Sequence, residues 1–209
     1  MKNFMVIKNG KVNVSITLTD DELKELVEKY GHKITKLADV PVGDTVKIGS
    51  WEFIVLEHNK GTTAVILKDC LFTKEKFGDD NNYEGSHADR VCNRFARCLS
   101  DFIGFHNIIE HTVDLTADDG LKCYGSVKSY ASLLTANLYR KYVDILDRYN
   151  PGISWWLSTA YSTPKHEHNS LIKYVTSSGD VDSGGWCYAC GIRPFLTLNS
   201  SVSLSKGEK

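Results

Sequence analysis

The chain has 209 residues, enough to bury a substantial core without disulfide staples, and its 42% hydrophobic and 24% charged residues are those of a globular domain. Its 25 Lys and Arg against 26 Asp and Glu leave a formal charge of −1, with no basic stripe to neutralise phosphates, which argues against nucleic acid as a partner. No apolar run approaches the roughly 20 residues of a membrane span, and "MKNFMVIKNGK" is too polar for a secretory core, so the expected location is the cytoplasm, where the six Cys remain thiols.

Val12, Val14, Ile16 and Leu18 alternate as in a strand, and then the period changes. Thr19 to Glu22 forms a capping box, with Leu23, Leu26, Val27 and Tyr30 as an apolar stripe and Gly31 as the stop. Residues 1–35 therefore read as a strand-and-helix appendage to a domain spanning 36–209. From Leu37 onward, Gly-Asp, Gly-Ser and Asn-Lys-Gly separate three strand-like runs, the pattern of an antiparallel meander.

Between Ser86 and Ile109, Val91, Phe95, Cys98, Leu99 and Phe102 recur at helical spacing, with Ser86 or Asp89 as the cap and Gly104 as the end. A second helix is predicted across "SVKSYASLLTANLYRKYVDIL", where Tyr130, Leu133, Leu134, Leu138, Tyr142 and Ile145 line up. After Pro151 the text returns to short strands: "ISWWLSTAYS", a hairpin turning at Ser-Gly-Asp in "LIKYVTSSGDVDS", and "IRPFLTLNSS". The fold class these elements predict is α+β, with short antiparallel strands and two main helices.

In chain order, "VGDTVKIGSWEFIVLEHNKGTTAVIL", "DLTADDGLKCYGSVKSYASLLTANLYRKY", "WWLSTAYST", "YVTSSGDVD" and "GIRPFLTLNSS" carry a resemblance over residues 37–201. They are similar to a family of uncharacterised domains common in Gram-positive gut bacteria and their prophages, whose pattern runs VGD, LLT, WWL, hairpin, GVRP. That family in turn resembles the C-type-lectin-like fold, including its sulfatase-modifying-factor branch. The resemblance implies a compact scaffold whose loops before the last strands display a binding surface; it implies no enzyme.

Several residues invite a chemical reading, each beside a plainer one. Arg193, between Ile192 and Pro194 at the start of an apolar strand, reads as a structural staple whose guanidinium forks across backbone carbonyls or a carboxylate. Trp155 and Trp156 alternate on a strand, so one ring enters the core and the other lies at the surface or beneath the loops. An exposed Trp156 beside Tyr161, Trp186 and Tyr188 would supply the rigid aromatic anchors of a ligand-binding patch, with Trp155 structural.

His166 and His168 fall on one side of an extended chain and, with Cys187 and Cys190, make a conceivable Cys2His2 zinc set. His-x-His is tighter than the usual second half-site, and the Gly residues around the CxxC deny it the helix start that a redox pair wants. Cys187 and Cys190 thus read as ordinary thiols, and Cys70, Cys92, Cys98 and Cys123 as small core hydrophobes. "TADDGLKCYG" and "FGDDNNYEG" lack the register of a calcium loop and read as polar turns. No metal or cofactor is expected.

The function expected from this reading is non-enzymatic binding of a protein or glycan, by a protein of phage or prophage origin that is made in the cytoplasm and could join the virion. The contact loops would be Thr159 to Ser170 and Ser177 to Tyr188. Inhibition of a host factor inside the cell is one alternative, and a metal or thiol oxidoreductase using Cys187 and Cys190 is another. A homo-oligomer is compatible with all three.

Overall fold

The computed structural model describes residues 2–8, 12–19, 21 and 35–204. Two compact units divide the chain, Met1–Ile34 with Ser205–Lys209 and Thr35–Leu204. In the first, β1 (Lys2–Lys8) pairs antiparallel with β2 (Val12–Leu18), Lys8 facing Val12. Alternation anticipates β2 but not its partner, although Asn9-Gly10 is a strong hairpin signal. The helix expected over residues 19–31 lies, apart from Thr19 and Asp21, outside the described residues.

The second unit is α+β and rich in sheet. It opens with β3 (Thr35–Lys36), which pairs with the unit's last two residues, Ser203–Leu204. The expected meander follows as β4 (Thr45–Ile48), β5 (Trp51–Asn59) and β6 (Thr62–Leu67). On β5, Phe53 and Val55 join Val65 and Leu67 in one core, while Ile54 and Leu56 join Ala64 and Ile66 in a second. A strand covered on both faces reads as a continuous apolar run, which is why "FIVL" shows no alternation.

After β7 (Phe72–Glu75) comes the long helix α1 (His87–Ile103). The Ser86 hydroxyl caps it by accepting from the Asp89 N–H, and Gly104 ends it at φ 79°, a conformation that suits glycine. Ala88, Cys92, Phe95, Ala96 and Leu99 form the buried face. The expected stripe is thus rotated: Cys98 and Phe102 are exposed, so Cys98 is not a core residue. Then come β8 (Ile108–Ile109), β9 (His111–Asp114) and β10 (Ser126–Ser129), the last two forming a hairpin of their own.

The second predicted helix forms only in its second half. Its first residues form β10, Ser132 bridges to Phe195, and only α2 (Ala136–Lys141) and α3 (Val143–Leu146) are helical. Leu133 is buried in one core and Leu134 in the other, as an extended segment crossing between them requires. The Leu134 carbonyl is held by the Ser158 N–H, so the apolar spacing reflects double burial and not helical periodicity.

The remaining strands are β11 (Trp155–Ala160), β12 (Leu171–Val175), β13 (Val181–Gly185), β14 (Cys190–Ile192) and β15 (Phe195–Asn199). One sheet has the order β4-β5-β6-β15-β8 and the other β13-β12-β11-β14-β7. Among the described strands the antiparallel expectation has one exception, the parallel contact of Trp155 with Gly191 that joins β11 to β14. Through Arg193 and Pro194 the chain leaves the second sheet and enters the first, where β15 sits between β6 and β8.

Candidate functional site

The end of the second sheet carries most of the residues singled out above. β11 lies between β12 and β14 with both faces covered, so both of its tryptophans are buried, Trp155 to 1% and Trp156 to 0% exposure. Trp155 packs edge-on against Tyr139, and the Arg193 guanidinium lies 5.1 Å from its ring centroid. Trp156 packs edge-on against Phe77 and Tyr174, and its indole N–H donates to the Glu75 carbonyl at 2.8 Å. Opposite faces are occupied as expected, but neither ring reaches the surface. Trp156 is therefore no contact residue.

Tyr161 follows β11 and is 37% exposed. The Lys173 ammonium stands 5.1 Å from its ring centroid, and the His168 ring packs edge-on at 6.3 Å. Lys173 is itself only 9% exposed and is paired with Asp118 at 3.0 Å; Asp118 also meets Arg140 at 3.3 Å. Asp119 ties down the next loop, accepting from the Thr163 N–H at 3.0 Å and from the Leu121 N–H at 2.9 Å, and pairing with His166 Nδ1 at 3.1 Å. Burial works against the Asp119 carboxylate, but these partners outweigh it and hold its pKa below the ordinary value.

His166 and His168 do not share a side of an extended chain, because residues 164–169 are turns and bends. His166 goes to Asp119, and His168, at φ 64°, goes to Tyr161. Cys187 is exposed, whereas Cys190 is buried with its thiol pushed up to about 11 by desolvation, the reverse of a reactive thiolate. Among the described residues no group of three or more His, Cys, Asp or Glu side chains could hold a metal ion. Of the other cysteines, Cys92 is buried, Cys70 half-buried and Cys123 exposed, so Cys123 too departs from the core expectation.

Tyr188 is 60% exposed and lies across the glycines of β13. A Cβ on Gly184 would come within 2.8 Å of the Tyr188 ring and 3.2 Å of the Tyr174 ring, so the absence of a side chain there makes the seat. The Tyr188 N–H donates to the Gly185 carbonyl at 2.9 Å, and the Tyr174 hydroxyl donates to Asp182 at 3.2 Å. Trp186 is half-buried against the core, with its carbonyl accepting from the Phe77 N–H at 3.0 Å.

Lys173 and Tyr174 are neighbours on β12, and successive strand residues face opposite ways. The four expected anchors are thus divided: Tyr161 shares the Lys173 side, Tyr188 and Trp186 lie with Tyr174 on the other, and Trp156 is inside. Comparison with protein-family models, with curated proteins and with solved structures finds no match. No described helix is long and apolar enough to cross a membrane.

Arg193 occupies the staple position. Fully buried, it donates from Nε to the Leu67 carbonyl at 2.8 Å, and from Nη2 to the Lys68 and Tyr149 carbonyls at 2.7 and 3.1 Å. Burial pulls its pKa down to about 10, which leaves it charged at neutral pH. Asp118, Asp119 and Lys173 are the residues the sequence reading passes over. The available signal was a lysine in the middle of the apolar strand "LIKYV", because a buried lysine needs a carboxylate.

Proposed function

We propose that the chain is a binding module of phage or prophage origin on a C-type-lectin-like scaffold, and that it recognises a protein or glycan through the hairpin face carrying Tyr188 and Trp186. The ordered motifs of residues 37–201 support the origin and the scaffold. The observation that carries the binding reading is the seating of Tyr188: a largely exposed ring fixed against Gly184 and Tyr174. A side chain already held in place gives up little conformational freedom on contact, which favours rigid tyrosines as anchors. Tyr161, on the opposite side, joins only a partner that reaches around the hairpin.

Affinity capture with the full chain from host lysate and from purified phage particles supplies the partner, and titration of that partner tests the face. Tyr188→Ala and Trp186→Ala are expected to weaken binding by about tenfold or more each, the scale of interface anchors. Unchanged affinity in both variants overturns this placement. Recovery of the chain with the particles supports a virion component, and its absence from them removes that part of the reading.

A further inference from the structure

A cavity of about 250 Å3 opens where β9 faces the start of α2; six of its seven lining residues, Thr112, Asp114, Thr116, Thr135, Asn137 and Thr159, carry a hydroxyl, amide or carboxylate and Leu138 is the apolar one, while carbon still makes up the larger part of the exposed wall. Drug-sized ligand pockets begin at about 300 Å3 and are mostly apolar. This one is smaller, and all but one of its lining residues place a polar group beside the carbon of the wall. At roughly 30 Å3 per water it has room for a ligand the size of a single sugar ring.

The lining groups are fixed by bonds that leave one side of each available. Thr135 Oγ1 accepts from the Leu138 N–H at 3.1 Å and Thr159 Oγ1 from the Ala136 N–H at 2.9 Å, so each hydroxyl proton remains to be donated elsewhere. Asp114 Oδ1 takes both the N–H and the hydroxyl of Thr116, at 2.9 and 2.6 Å, which leaves Oδ2 as an acceptor. Asn137 Oδ1 accepts from Arg140 at 3.1 Å, leaving its amide N–H2 to donate. Thr112 Oγ1 has no bonded partner among the described residues and both donates and accepts.

A ligand satisfying this set carries several adjacent groups that each donate and accept, which is the chemistry of vicinal hydroxyls. Asp114 is the only charged residue of the lining, so an anion would be repelled. We propose that this pocket binds a neutral polyhydroxylated ligand of one-sugar size, as a free monosaccharide or as the terminal residue of a glycan. The site is separate from the Tyr188 face, and it stands or falls without it.

Saturation-transfer NMR on the full chain with glucose, galactose, mannose, N-acetylglucosamine and rhamnose, each also as its methyl glycoside, tests the proposal. Transfer from at least one sugar is expected, and it is expected to weaken about tenfold or more in Thr112→Val and in Asp114→Asn. Thr112 makes no bond that Val would break, and unchanged thermal unfolding checks that each variant is folded. Transfer from the methyl glycoside points to a glycan terminus, and transfer from the reducing sugar alone points to a free monosaccharide; both support the pocket. Tyr188→Ala should leave the signal intact, so the two sites are read independently. No transfer from any sugar, transfer that both variants retain, or transfer from spermidine in place of the sugars overturns the assignment.

Discussion

His111 is a half-buried imidazole whose Nε2 meets the Ser132 hydroxyl at 2.9 Å and whose ring stands edge-on to Phe195 at 5.2 Å. Desolvation lowers its pKa from 6.5 to about 4. The unfolded chain therefore binds more protons than the folded chain between those values, and stability falls as pH drops from about 6.5 towards 4. The expected loss is about 2 kcal/mol between pH 7 and pH 5, read as a lower urea midpoint, and His111→Gln should flatten that part of the curve. A slope unaltered by the substitution would remove His111 as its cause. Burial of this kind was not legible in "HTVDL", since only the pairing of β9 with β10 and the approach of Phe195 create it.

At the scale of elements, the loop containing Asp118 and Asp119 fastens the far end of the second sheet. The Asp118 N–H donates to the Ala160 carbonyl at 2.9 Å while its carboxylate meets Lys173. Removing the carboxylate strands the buried Lys173 charge, whereas replacing the lysine by an apolar chain of similar length removes the need for a partner. Asp118→Ala is expected to cost about 2 kcal/mol and Lys173→Met less than about 1 kcal/mol in denaturant titration. Equal losses would mean that the charge of Lys173 is already well solvated. The α1 helix was legible because its cap, stop and period agree. The helix predicted over residues 126–146 was legible only from Ala136 onward, because the consecutive buried Leu133 and Leu134 ahead of it belong to two different cores. The divided aromatic site has the same origin: alternation told which rings part company, but not that both faces of β11 are covered.

At the scale of the whole molecule, Arg193 stands where the chain passes from one sheet to the other. Its guanidinium binds carbonyls of Leu67, Lys68 and Tyr149, three points brought together only by the complete fold. A lysine can place one ammonium there but not a planar fork, so Arg193→Lys leaves buried carbonyls unsatisfied. The expected cost is about 2–3 kcal/mol, with the two sheets still lost in one transition when tryptophan fluorescence and far-UV circular dichroism are compared. A loss under about 0.5 kcal/mol would show the fork to be dispensable. This role, unlike the aromatic face, was readable from Gly191-Ile192-Arg193-Pro194 alone.

The position of β15 governs how the chain reaches this state. Phe195 pairs with Ile66 and Leu198 with Ile108, so an inner strand of the first sheet comes from chain far beyond both of the strands it joins. Before β15 is in place, β6 presents an unpaired apolar edge on the side away from β5. Pairing across about 130 residues also places this domain among slow folders, since loop closure precedes any gain from contact. Shortening the chain ahead of Phe195 would therefore open the middle of a sheet rather than trim its end, and leave an aggregation-prone remnant.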